Sequence, residues 1–158
     1  MSDEDAYTME IKGLEKLLKA LKGKPPTARI GILTGKASED HDGSTNAEIG
    51  AAHEFGAPAR GLPQRSFLRV PLAEKLNPEL QKDGAFSKQQ MESVLKEGTV
   101  LPWLKMVAIV AEKVVQDAFG SAGFGKWPAW SPEYENNTGM ILVDTTQLRD
   151  SITSEVKE

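Results

Sequence analysis

The sequence predicts an α+β fold: a small mixed or antiparallel sheet packed against a long central helix, with extended loops. Three observations predict it. Leu104, Val107, Ala108, Ala111, Val114, Val115 and Ala118 recur at helical spacing over about four turns, the signature of a core helix. Two short segments, Ala28–Leu33 and Ser151–Lys157, place Ile30 with Ile32 and Ile152 with Val156 on single faces of strands. Between these elements lie polar, turn-rich stretches at 34–46 and 120–140.

In chain order, residues 1–9 read as a flexible N-terminal arm and 10–158 as a single domain, an ordinary length for one core. Leu14, Leu17, Leu18 and Leu21 mark one face of a first helix, which Gly23-Lys24-Pro25-Pro26 stops. The first strand and the 34–46 loop follow. Thr45 and Glu48 form a capping box for a short helix with a small-residue packing face (Ala47, Ala51, Ala52 and Phe55), ended by Gly56. A strand-like piece is expected near Phe67-Leu68. Pro71 opens a helix that should stop near Pro78. Ser87 and Gln90 make a second capping box, for a helix that Gly98 closes. After the long helix, Gly120–Gly125 reads as a flexible loop and Trp127–Pro132 as an irregular aromatic segment. Asp144 with Gln147 caps a short turn before the final strand.

Composition narrows the function. The chain has 158 residues, a net charge of −4 and no cysteine. That rules out a disulfide framework, a thiolate metal site and a thiol nucleophile. A free-standing duplex-DNA binder would more often be basic. No apolar run approaches the roughly 20 residues that cross a bilayer, and the acidic start Met1-Ser2-Asp3-Glu4-Asp5 is unlike a signal peptide. Charge is uneven. Residues 57–75 hold Arg60, Arg65, Arg69 and Lys75 against Glu74, whereas 126–158 hold three bases and six acids. Such complementary surfaces favour head-to-tail self-association.

The motifs that hint at chemistry fail their context tests. Gly120–Lys126 matches G-x-x-x-x-G-K, but it leaves a helix, and Trp127-Pro128 stands where a hydroxyl and a helix start belong. Ser38–Gly43 suggests a calcium loop, yet Ser38 falls at position one and Ile49 at the position of the bidentate glutamate. His41 and His53 lack the spacing of a zinc site. His53 reads as a packed or capping residue. There is no G-x-S-x-G elbow. Trp103, Trp127 and Trp130 have no interleaved basic strand for base stacking, so core or interface anchoring is the better reading. The expectation is no catalytic residue, no cofactor and no metal: not an enzyme.

Three separated stretches share a pattern. Asn46–Lys75 (NAEIGAAHEFGAPARGLPQRSFLRVPLAEK) resembles the A-x-x-x-E-F-G…P-x-R-x-F-x-R signature of the small tail-completion, or head–tail joining, proteins of long-tailed bacteriophages. Phe55, Gly56, Pro63, Arg65 and Phe67 hold its positions. Trp127–Glu135 (WPAWSPEYE) resembles the family's W-p-x-l-s-p segment. Ile141–Val156 (ILVDTTQLRDSITSEV) resembles its L-v-D-T-G-x-L-x-x-S block, with Thr146 where the family usually has glycine. The resemblance implies a structural virion protein of the neck. It would form a hexameric homo-oligomer ring between a head connector or stopper protein and a tail terminator or tail tube protein. Genomic DNA would pass through the lumen without sequence-specific binding, and no membrane would be involved. Its location would be the virion neck or tail, after assembly in the host cytoplasm. A tail terminator capping the tube is the alternative. A small hydrolase using Lys126, or a DNA-binding module using the basic patch, is less favoured. The residues expected at a subunit or partner interface are Phe55, Arg60, Arg65, Phe67, Arg69, Trp127 and Trp130.

Overall fold

The computed structural model describes residues 3–41, 43–129, 140–143 and 146–158. Its elements run α1 (Asp3–Lys22), β1 (Thr27–Ile32), β2 (Asp40–His41), β3 (Ser44–Thr45), α2 (Asn46–Phe55), α3 (Arg69–Lys82), α4 (Lys88–Glu97), α5 (Leu101–Gly120), α6 (Ala122–Gly125), α7 (Gln147–Asp150) and β4 (Ile152–Lys157). A turn of 3-10 helix at Pro58–Arg60 joins α2 to α3.

The expected architecture is present. β1 and β4 pair antiparallel, from Thr27 opposite Lys157 to Ile32 opposite Ile152. The 20-residue α5 packs on both strands. Its Val115 and Phe119 join Phe67, Leu142, Val143, Leu148 and Ile152 in the main core, with Ile30, Ile32, Leu72 and Trp127 at its margin. A smaller cluster of Leu80, Ala85 and Val110 joins α3 to the middle of α5. Trp103 borders it, donating its indole N–H to the Ala85 carbonyl at 2.9 Å.

Several elements depart from the sequence reading. α1 reaches back to Asp3, through the segment expected to be an arm. α3 continues through Pro78 to Lys82. Proline removes one backbone bond, but Leu80 beyond it is buried, and that burial holds the last turn in place. The Ser87 capping box is one-sided. The hydroxyl accepts from Gln90 N–H, while the Ser87 N–H goes to the Gly84 carbonyl. The described residues of the 34–46 stretch are anchored rather than loose. Asn46 is fully buried, donates to the Lys36 carbonyl at 3.0 Å and accepts from the Gln147 amide at 3.2 Å. The capping box at Thr45 and Glu48 forms in full.

Thr146 has φ 63°, a left-handed conformation that β-branched residues rarely adopt. Its hydroxyl donates to Asp150 at 2.7 Å, an exposed bond that offsets little of the strain. Thr146→Gly is therefore expected to raise stability by about 1 kcal/mol. Thermal melting checks this, and an unchanged or lower Tm counts against a strained turn.

Candidate functional site

The 64–69 segment forms no strand. Its backbone donors have a different acceptor: the carboxylate of Glu54, at the C-terminal end of α2. Glu54 is 5% exposed. It accepts from the Ser66 hydroxyl at 2.7 Å and from the N–H groups of Phe67, Leu68 and Arg69 at 3.0, 3.0 and 3.1 Å. The Arg69 Nε lies 3.8 Å away. These amides belong to the start of α3, where a helix leaves its first donors unpaired. The N-cap there is Leu68, which has no side-chain acceptor. A glutamate from the preceding helix supplies one, and Ser66 Oγ adds a bond from Val70 N–H at 3.0 Å.

α2 reaches this turn because of how it ends. Gly56 has φ 76°, and a Cβ there would lie 2.9 Å from the Gln64 nitrogen. Only glycine lets residue 64 pass so close. Gln64 donates its amide to the Glu54 carbonyl and Arg65 its N–H to the His53 carbonyl. The intervening residues close a small loop through a bridge between Ala57 and Leu62.

The second layer comes from beyond α5. Trp127 donates its indole N–H to the Ser66 carbonyl at 2.9 Å and meets Phe119 edge-on, with centroids 5.8 Å apart. Phe119 in turn packs on Phe67 at 5.1 Å. Arg65, 3% exposed, donates Nε to the Pro128 carbonyl at 3.1 Å and Nη2 to the Ala129 carbonyl at 2.8 Å. The planar guanidinium suits this two-pronged grip.

Gly120–Gly125 is correspondingly not the loose loop expected from its composition. It is a tight left-handed turn, with Gly123 at φ 67° and Phe124 at φ 57°. A Cβ on Gly123 would lie 2.2 Å from the Trp127 indole nitrogen, so glycine is there to admit the ring. Lys126 pairs with Glu74 on α3, and Lys75 lies over the Phe124 ring. Backbone donors are not gathered around Lys126 as in a phosphate loop. Among the described residues no cluster of potential metal ligands occurs, and no helix is long and apolar enough to cross a membrane.

The residues expected at an interface divide three ways. Phe55 (67% exposed), Arg60 and Arg69 are open to a neighbour. Arg65 and Phe67 are buried within the chain, and Trp127 is half-buried. Their part in any contact is to set the shape of the turn. Trp130 lies outside the described residues. Glu54 escaped the sequence reading as a key residue. The signal was its place in the E-F-G motif, two residues before an isolated loop, but its donors are 12 to 15 residues away.

His53, beside this cluster, is held neutral. Burial, and then the Arg65 charge, push its pKa down to about 4, and Nδ1 is buried without a hydrogen-bond partner. The unfolded chain binds a proton near pH 6.5 and the folded chain does not. Stability is therefore present above pH 6.5 and lost as the pH falls toward 4. After discounting for partial exposure, the loss at pH 4.5 should be about 2 kcal/mol. Melting temperatures across that range check it. In His53→Gln this part of the slope should vanish, and a slope unchanged in the variant would assign it elsewhere.

No family model matches the sequence, and no curated protein or solved structure matches it significantly.

Proposed function

We infer that this chain is a structural protein of a bacteriophage neck, of the tail-completion kind. It acts as a ring of copies joining the head connector or stopper to the tail and leaving a passage for DNA. The observation that carries this reading is the meeting of the stretches that resemble the family. Glu54 of the first caps the Pro-x-Arg-x-Phe turn. Arg65 of that turn grips the backbone after Trp127. Leu142, Val143, Leu148 and Ile152 of the last stretch complete the core beneath Phe67. Among the described residues the stretches meet, and the carboxylate of Glu54 and the guanidinium of Arg65 are spent on backbone groups. That is how a scaffold uses such residues, and it fits assembly better than catalysis.

In this reading Phe55, Arg60 and Arg69 present the outer side of the turn to the neighbouring subunit. An exposed aromatic beside arginines is the composition of an interface anchor. A heterologous contact of that kind closes into a ring when its rotation divides the circle. A reconstruction of the particle carrying the chain tests the proposal. The expected result is a ring of copies between connector and tail, with Phe55 buried against a neighbour. A chain missing from purified particles, or sited at the tail tip or in the capsid shell, overturns it. A ring on the tail tube with the connector absent points to the terminator instead.

A further inference from the structure

We propose that the two outer edges of the β1–β4 ribbon fit each other: β1 of one copy of this chain pairs antiparallel with β4 of the next, so that one sheet runs from subunit to subunit.

The ribbon has two strands of six residues, paired without a bulge from Thr27 opposite Lys157 to Ile32 opposite Ile152. In an antiparallel pair every second residue turns its N–H and C=O away from its partner. Those groups form a row along the outer edge of each strand. Among the described residues, no backbone hydrogen bond joins either row to another part of the chain. Such an edge is a template for a further strand unless proline, a bulge or like charge blocks it. Pro25-Pro26 stops short of β1, and neither strand contains proline. The open ends of the two strands coincide. Thr27, Ala28 and Arg29 are exposed, and so is Lys157 opposite Thr27.

Register and charge select the mate. Two edges interlock only where outward-turned residues face outward-turned residues. Partners within the ribbon, such as Ala28 and Val156, turn the same way. The register found inside the chain therefore also serves between β1 of one copy and β4 of another, over all six residues. It sets Arg29 directly opposite Glu155 of the neighbouring copy. Within the chain Arg29 already lies 3.9 Å from Glu155, on the surface. Each arginine then stands between two glutamates and each glutamate between two arginines, an arrangement that favours cross-strand pairing. Lys157, diagonal to Arg29, is drawn onto Glu155 at 2.9 Å. On the other face, Ile32 meets Ile152 and Ala28 meets Val156 of the neighbour, so the apolar side of the sheet continues as well. Twofold antiparallel contacts do worse. β1 on β1 has no permitted register that overlaps the whole strand, and the nearest ones set Arg29 opposite Arg29 or Gly31. β4 on β4 sets Glu155 opposite Glu155 or Thr153. The favoured contact is thus head-to-tail, and it closes into a ring when its rotation divides the circle. As the backbone part of the subunit contact in the ring it rests on the reading above, whereas the fit of the two edges rests on the strands alone. One strand pair buries little beside the roughly 1,200 Å² of stable interfaces, so free copies associate weakly.

The chain has no cysteine, so introduced ones report the contact. Thr27→Cys and Lys157→Cys are made in separate full-length chains, both at the open end of the ribbon. At several hundred micromolar protein under mild oxidation, the mixture should form mixed dimers at least tenfold faster than either variant links to itself. Adding Arg29→Glu to the Thr27→Cys chain should slow mixed linking about fivefold, the size of one exposed ion pair. Adding Glu155→Arg to the Lys157→Cys chain should then restore it, because the opposite charges face each other again across the two copies. The pair within the chain is exposed and contributes little to folding, so melting temperatures should stay near wild type. A mixture that links no faster than the single variants overturns the proposal. So does self-linking of Thr27→Cys as fast as the mixture, or slowing by Arg29→Glu that Glu155→Arg does not repair. None of these outcomes touches the neck assignment, which the particle reconstruction decides.

Discussion

Glu54→Ala is expected to cost about 3–5 kcal/mol of folding stability, because it strands four donors in a partly buried turn. The Ser66 hydroxyl and the N–H groups of Phe67, Leu68 and Arg69 all end on this carboxylate. No neighbouring group is placed to replace it, since the N-cap position is a leucine. Each unmet buried donor costs about 1–3 kcal/mol, and water can reach some of them, which keeps the total below the simple sum. A domain of this size has about 5–15 kcal/mol in all, so the variant should be marginal at 37 °C. Glu54→Gln keeps one acceptor oxygen but turns an amide NH₂ toward N–H groups, so it should lose about half as much. Urea unfolding of the three proteins measures this. An alanine variant within about 1 kcal/mol of wild type would show that the turn is held by something other than this carboxylate.

Local signals were the legible ones. The stripe from Leu104 to Ala118 needs only its own neighbours to be read, and α5 contains all of it. The Thr45–Glu48 box and the stops at Gly56 and Gly98 are equally local, and all three are present. Reading failed where the deciding partner lies far along the chain. Phe67-Leu68 looked like a strand because both are apolar, but the acceptor of their amides is Glu54 of an earlier helix. Gly120–Gly125 looked loose because glycine is permissive, yet those glycines make room for Trp127. Pro78 looked like a stop because the burial of Leu80 against α5 is invisible from sequence. Within the site, Arg65, Phe67 and Arg69 were readable as residues of one motif. Which arginine grips backbone and which faces solvent was not, since it depends on where residues 128 and 129 pass.

Trp127→Ala should be the second severe substitution, costing about 3 kcal/mol. The ring fills the space left by Gly123 and covers the edge of Phe119, so its loss opens a void at the end of α5. The indole N–H leaves the Ser66 carbonyl without its donor, which adds about 1 kcal/mol. Partial exposure keeps the sum at the low end for a tryptophan truncation. Trp127→Phe separates the two effects: it restores most of the packing and none of the bond, so it should lose about 1–1.5 kcal/mol. The same ring decides whether Arg65 can work. Pro128 and Ala129 present their carbonyls to the guanidinium only while Trp127 pins the chain just before them. Arg65→Ala in the Trp127→Ala background should therefore cost less than in wild type, a coupling of about 1 kcal/mol or more. Strict additivity in that double-mutant cycle, read by denaturant unfolding, would mean that the two grips act independently and that Trp127 does not deliver residues 128–129 to the turn.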